Sequence, residues 1–130
     1  MMRDADVIVV GSGNAAMCAG IAALDAGASV LMVEKAGPDL AGGNSKYTAG
    51  AMRFAYGGFD DLRPLLADPD DDRLATADFG SYTTDQFSID LEGFNEGEAL
   101  TREQRILVDE SLPTMQWLAA QGVRLSLIHI

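Results

Sequence analysis

The stretch DVIVVGSGNAAMCAGIAALDAGASVLMVEK, residues 6–35, decides the fold. Residues 6–10, DVIVV, are short, β-branched and bounded by a charge and a glycine, which predicts a buried strand. Residues 14–26 are rich in small residues and predict a helix, with Asn14 near its start and Gly27 just past its end. Residues 29–33, SVLMV, predict a second buried strand. Strand, helix and strand within about thirty residues is the size of a minimal parallel β-α-β unit.

The loop leaving the first strand carries Gly11, Gly13 and Ala16 in a G-x-G-x-x-A arrangement. Each position has a physical task. Gly11 allows a tight turn out of the strand. Gly13 lacks a Cβ, so a pyrophosphate can approach the backbone. Ala16, and Gly20 one turn later, let the helix lie close to the strands. The helix start offers unpaired N–H groups and the positive end of its dipole. Glu34 ends the second strand, 23 residues after Gly11 (34 − 11). A carboxylate there accepts hydrogen bonds from ribose hydroxyls and repels a 2′-phosphate, which disfavours NADP. The pattern specifies an ADP moiety and leaves NAD and FAD both open.

A second cluster, GGNSKYTAGAM, occupies residues 42–52. Gly42, Gly43 and Gly50, with Asn44, Ser45 and Thr48, suit a segment whose backbone approaches another part of the same ligand. FAD extends past ADP into ribityl and isoalloxazine, and simple NAD enzymes of the doubly wound type make no such demand here. The second cluster therefore leans toward FAD.

Together the two segments resemble the signatures of the fumarate reductase/succinate dehydrogenase flavoprotein family, in its soluble branch and in the right order. Within it, the GNAA and GGNSKYTAG wording, FGSYTTDQF and ESLPTMQWLAAQGVR are most similar to FAD-dependent tricarballylate dehydrogenases. The resemblance covers residues 5–124. It implies that Gly11, Gly13, Asn14 and Ala15 line the pyrophosphate. Glu34 would hold the adenosine ribose, with Lys35 beside it. Asn44 and Ser45 would contact the flavin side, and Ala49 and Gly50 would lie against the isoalloxazine. Ala51 departs from the second glycine usual in the fumarate reductase branch. Membrane-bound relatives attach FAD to a histidine in this region; residues 42–52 contain none, so FAD is expected to be non-covalent. Cys18 reads as a packing residue of the small-residue helix.

The resemblance further implies hydride transfer between flavin N5 and a carbon beside a carboxylate, on a small di- or tricarboxylate substrate with a separate electron acceptor. Family members place the catalytic and carboxylate-clamping residues in later segments, so the catalytic residues are unknown. Arg53, Arg63, Arg73, Arg102, Arg105 and Arg124 read as solvated surface side chains. The expected fold is α/β: a Rossmann-like FAD-binding β-α-β unit followed by helices, an incomplete doubly wound domain. Residues 1–124 are expected to be the N-terminal part of an FAD-binding domain. The isolated piece is expected to bind FAD weakly or not at all. Rival readings are a fumarate reductase, aspartate oxidase or ketosteroid dehydrogenase, an NAD-dependent dehydrogenase, and an inactive truncated nucleotide-binding fragment.

The remaining sequence bounds these readings. Among 130 residues, 20 acids face 9 bases, for a net charge of −11. That balance argues against nucleic acid or an anionic membrane as partner. One cysteine rules out an intrachain disulfide framework and points to a reducing compartment. The longest early apolar run, residues 7–10, is too short for a membrane span or signal core, so a cytoplasmic location is expected. Residues 68–72, DPDDD, predict a turn. Residues 82–92 predict a helix with Tyr82, Phe87 and Leu91 as its apolar stripe. Residues 101–121 predict another, opened by a Thr101–Gln104 capping box and divided by Pro113, with Ser111 as the second N-cap. Its apolar faces are Ile106, Leu107, Met115, Trp117 and Leu118. The last six residues, LSLIHI, match a reading frame of a DNA-library adaptor, and residues 125–130 are read as a non-native tail. His129 lies in it and is assigned no chemistry.

Overall fold

The computed structural model describes residues 4–126, which divide into two compact units, one ending at Gly50 and one starting at Ala51. In the first, β1 (Val7–Val10) and β2 (Val30–Val33) pair in parallel, Val7 opposite Val30 through Val10 opposite Val33. Helix α1 (Asn14–Asp25) connects them. It closes as foreseen at Gly27: Gly27 N–H donates to Leu24 O (2.9 Å) and Ala28 N–H to Ala23 O (3.0 Å), the two bonds of a Schellman motif. Asp6 and Ser29 pin the start of the pair. The Asp6 carboxylate accepts from the Ser29 N–H (2.9 Å) and hydroxyl (2.7 Å), and these bonds hold its pKa below the usual value.

The register fixes what each face carries, because side chains alternate along a strand. Val7, Val9, Val30 and Met32 share the face toward α1. Gly20 is the buried residue of that helix, and a Cβ there would come 3.3 Å from Met32 Sδ. This is the close helix–strand approach expected of Gly20. Ile8, Val10, Leu31 and Val33 share the other face. The sequence predicts buried strands, and this face corrects it: Ile8 is 62 % and Val10 81 % exposed. Parallel strands are buried when layers cover both faces, and within this unit α1 covers one.

The second unit is helical. Helix α2 (Phe59–Leu62) runs into a 3-10 turn at Arg63–Leu65, and another 3-10 turn spans Asp72–Ala75. Helix α3 (Thr84–Phe94) begins where the Thr83 hydroxyl accepts the Gln86 N–H. Its predicted stripe holds: Phe87 is buried with Ala55, Leu100 and Val108, and Tyr82 and Leu91 pack against them. Helix α4 (Arg102–Asp109) opens with the predicted capping box, Thr101 and Gln104 each bonding the other's backbone N–H.

Helix α5 (Ser111–Ala120) follows after a break at Glu110, as Pro113 requires. The cap is a correction. Glu110 takes the N-cap position, and Ser111 is the first helical residue. Its hydroxyl is buried and otherwise engaged: it accepts the Ala55 N–H (3.0 Å) and donates to Val108 O (2.8 Å). Ile106 and Leu107 are a second correction, since both are half-exposed and Val108 takes the buried position of α4. Met115 and Leu118 are buried, and Trp117 is half-buried. Phe54, Leu62, Leu65 and Leu66 complete the core from a stretch for which the sequence predicts no element. Leu125, first residue of the segment read as non-native, is buried and exchanges bonds with the Leu65 carbonyl (2.9 Å) and Ala67 N–H (2.8 Å). Residues 127–130, including His129, lie outside the described residues.

Candidate functional site

All ten residues singled out for cofactor contact, from Gly11 to Gly50, lie in the first unit. Gly11 makes the turn out of β1 at φ +113°, a conformation that L side chains rarely adopt. Its N–H donates to Val33 O (2.7 Å), which holds the loop against the end of β2. Gly13 is the N-cap of α1 and offers no side-chain cap of its own. A Cβ built on it would lie 3.3 Å from Gly42 O and 3.6 Å from Ser45 Oγ. The second glycine cluster thus sits directly against the first.

Two serines join the clusters. Ser45, in a 3-10 turn at Gly43–Tyr47, accepts the Asn14 N–H with its hydroxyl (2.9 Å) and so caps α1 from a distance. A hydroxyl has two lone pairs and one proton, so Ser45 keeps its O–H to donate. Ser12 donates to Glu34 Oε2 (2.5 Å) and accepts the Gly42 N–H (3.0 Å). One hydroxyl therefore ties the first loop, the acid ending β2 and the second cluster together. Sequence reasoning did not single out Ser12; its signal was a hydroxyl residue between the two glycines of G-x-G.

Glu34 is exposed and ionised. The Ala36 N–H on Oε1 (2.8 Å) and the Ser12 hydroxyl on Oε2 hold its carboxyl below the usual value. Each oxygen keeps acceptor capacity for a diol. Ala15 and Lys35 are exposed beside these groups in sequence. Asn44, Ala49 and Gly50 are exposed along the second cluster, where Ala49 holds φ +55°. A non-glycine residue in that region costs on the order of 1 kcal/mol. The Asn14 side chain accepts from Cys18 Sγ (3.7 Å).

A carboxylate poised for a diol, a glycine turn and a helix start pinned by a second loop fit an ADP-containing ligand. Among the described residues, no His/Cys/Asp/Glu group could hold a metal ion, and no helix is long and apolar enough to cross a membrane.

Comparison with known proteins agrees. Residues 6–128 match the family model described as FAD binding domain. Fumarate reductase (cytochrome) of Shewanella frigidimarina is 49 % identical over 51 residues, which are 39 % of this chain and 9 % of that protein. Vinyl phenol reductase of Lactiplantibacillus plantarum is 32 % identical over 119 residues, 91 % of this chain and 20 % of that protein. The chain thus spans a fifth or less of the length of these relatives. No solved structure matches. The chain belongs to the FAD-binding-domain family, and its cofactor is FAD.

Proposed function

We propose that this FAD-family chain is the N-terminal, cofactor-gripping part of an oxidoreductase acting on a small tricarboxylate, a tricarballylate dehydrogenase. The observation that carries the cofactor half of this reading is the pair of serine clasps joining the two glycine clusters. Gly11, Gly13, Asn14 and Ala15 would line the pyrophosphate, and Ser45, whose O–H remains to donate, would contact the flavin side. Glu34 accepts from the ribose hydroxyls, with Lys35 beside it. Asn44 faces the flavin side, and the left-handed Ala49–Gly50 step presents backbone to the ring system. FAD supplies hydride transfer at flavin N5. Residues 42–52 carry no histidine, which supports non-covalent binding. The absence of a span-length apolar helix among the described residues is compatible with a cytoplasmic location.

The substrate half rests on the likeness of GGNSKYTAG, FGSYTTDQF and ESLPTMQWLAAQGVR to tricarballylate dehydrogenases. The fumarate reductase relative keeps a dicarboxylate as the rival substrate. Anaerobic addition of tricarballylate to the full-length gene product should bleach the flavin absorption band, and succinate should not. Bleaching by succinate alone would replace this reading with the rival one.

The uncovered face of Ile8, Leu31, Val10 and Val33 supports a second statement about the 130 residues alone. They form an incomplete doubly wound, Rossmann-like domain that binds FAD weakly, with catalytic residues supplied from elsewhere in the longer protein. Residues 125–130 remain proposed as a non-native tail. The buried Leu125 shows only that a leucine fits at that position, whatever coding sequence supplied it. A stoichiometric yellow complex of the isolated chain would overturn the weak-binding statement, and an uninterrupted native gene through codon 130 the tail.

A further inference from the structure

Arg53 follows Gly50 by three residues and differs from Arg63, Arg73 and Arg124 in its surroundings. Arg63 pairs with Asp70 (3.3 Å), and Arg124 bonds the Ala119 and Val123 carbonyls. Arg73 borders a cavity of about 60 Å³, but Asp71 occupies its guanidinium through both Nε (2.9 Å) and Nη2 (2.6 Å). Arg53 instead borders an open pocket of about 340 Å³ shared with Met52, Phe54, Tyr56, Ser81 and Tyr82. That volume is in the range of small-molecule sites.

The guanidinium is aimed rather than consumed. Among the described residues, Nη1 alone meets protein groups, the Tyr82 hydroxyl at 3.4 Å and Asp90 Oδ2 at 3.5 Å. Its Cζ lies 5.8 Å from the Tyr82 ring centroid, within cation–π range. Asp90 is itself fixed, accepting the Tyr82 hydroxyl (2.7 Å) and the Gln86 amide (3.0 Å). This leaves the side-on edge, Nε–H with one Nη2–H, without a bond to any of the described residues on a side chain 56 % exposed. That edge matches the two oxygens of a carboxylate. Met52 and Tyr56 offer apolar surface for a carbon skeleton over the buried Phe54, and Ser81 offers a second donor.

We propose that this pocket is a carboxylate subsite in which Arg53 holds one carboxylate of a small di- or tricarboxylate side-on. The assignment rests on the proposed carboxylate chemistry. Tyr82 and Asp90 act as positioning residues for the guanidinium.

The test is an NMR titration of the full chain with tricarballylate, succinate and the neutral succinamide, following the Arg53 Nε–H signal. Both acids should shift that signal saturably, and succinamide should not. Arg53→Gln should abolish binding, and Arg53→Lys should weaken it roughly tenfold by removing the planar fork. Asp90→Asn keeps an acceptor for Tyr82 and removes the competing charge, so it should bind several-fold tighter. Backbone amide spectra check that each variant is folded. A stationary Arg53 signal, equal response to succinamide, or acid binding unchanged in folded Arg53→Gln would overturn the assignment. The two readings can fail separately. Saturable binding at Arg53 in a protein whose flavin neither acid reduces leaves the subsite and removes the dehydrogenase. Tricarballylate-driven flavin reduction with unchanged KM in full-length Arg53→Gln removes the subsite and leaves the dehydrogenase.

Discussion

Replacing Ser111 with alanine should destabilise the second unit by about 2 kcal/mol. The Ser111 hydroxyl is the partner of the Ala55 N–H at 3.0 Å, and Ala55 is 5 % exposed. Removing the oxygen leaves that donor buried without an acceptor, which costs roughly 1–3 kcal/mol. Side-chain volume changes little, so the cavity contribution is small. The lost donation to Val108 O adds less, because a carbonyl at a helix end can turn to other donors. For a unit of this size, about 2 kcal/mol corresponds to a fall of roughly 8–16 °C in Tm. Urea and thermal unfolding followed by Trp117 fluorescence would measure it, since Trp117 lies on the same helix. A loss below about 0.5 kcal/mol, with helical content retained, would refute the claim that Ser111 serves Ala55 and not the helix start.

Three further predictions address the site and the exposed surface. Ser12→Ala removes the hydroxyl shared by Glu34 and Gly42; the Glu34 carboxyl should titrate nearer its ordinary value by ¹³C NMR, and FAD affinity should fall several-fold. Asp71 is held at about 2 by hydrogen bonds from the Arg73 guanidinium and backbone, below its ordinary 3.8. A depressed folded pKa contributes stability above the unfolded value and loses it as pH falls from about 3.8 through about 2; Arg73→Ala should move the NMR midpoint of Asp71 upward and abolish that acid-range loss. Val10→Thr should change the stability of the isolated chain by less than about 0.5 kcal/mol, because Val10 is 81 % exposed; a larger loss in chemical denaturation would show that this face is covered.

Local signals in the sequence are legible where one residue type does one job. Gly11, Gly20 and Gly27 do the predicted turn, packing and helix-ending work, and Thr101 with Gln104 makes the predicted box. Ser111 was misassigned because a serine before a helical proline satisfies a cap and a buried long-range bond equally well in sequence; only the fold brings Ala55 to it. Ile106, Leu107 and Val108 form an unbroken apolar run, so nothing in it marked Val108 as the residue facing inward. Strand burial was overread because VIVV records an environment covered on both faces, and this unit provides one covering layer. The serine clasps were invisible because their partners lie 22 to 31 residues apart.

The two clasps also set an order of assembly. Parallel strands cannot pair through a tight hairpin, so Val7 waits for Val30 to be synthesised, and Asn14 waits for Ser45. Once residue 50 is made, every group assigned to the cofactor exists in one short segment with strong local connectivity. Synthesis at ~5–20 residues per second lets that segment form within seconds. The clasped loops can thus stand preformed before the rest of the longer protein is made, so tight capture of FAD should follow completion of the domain and not precede it.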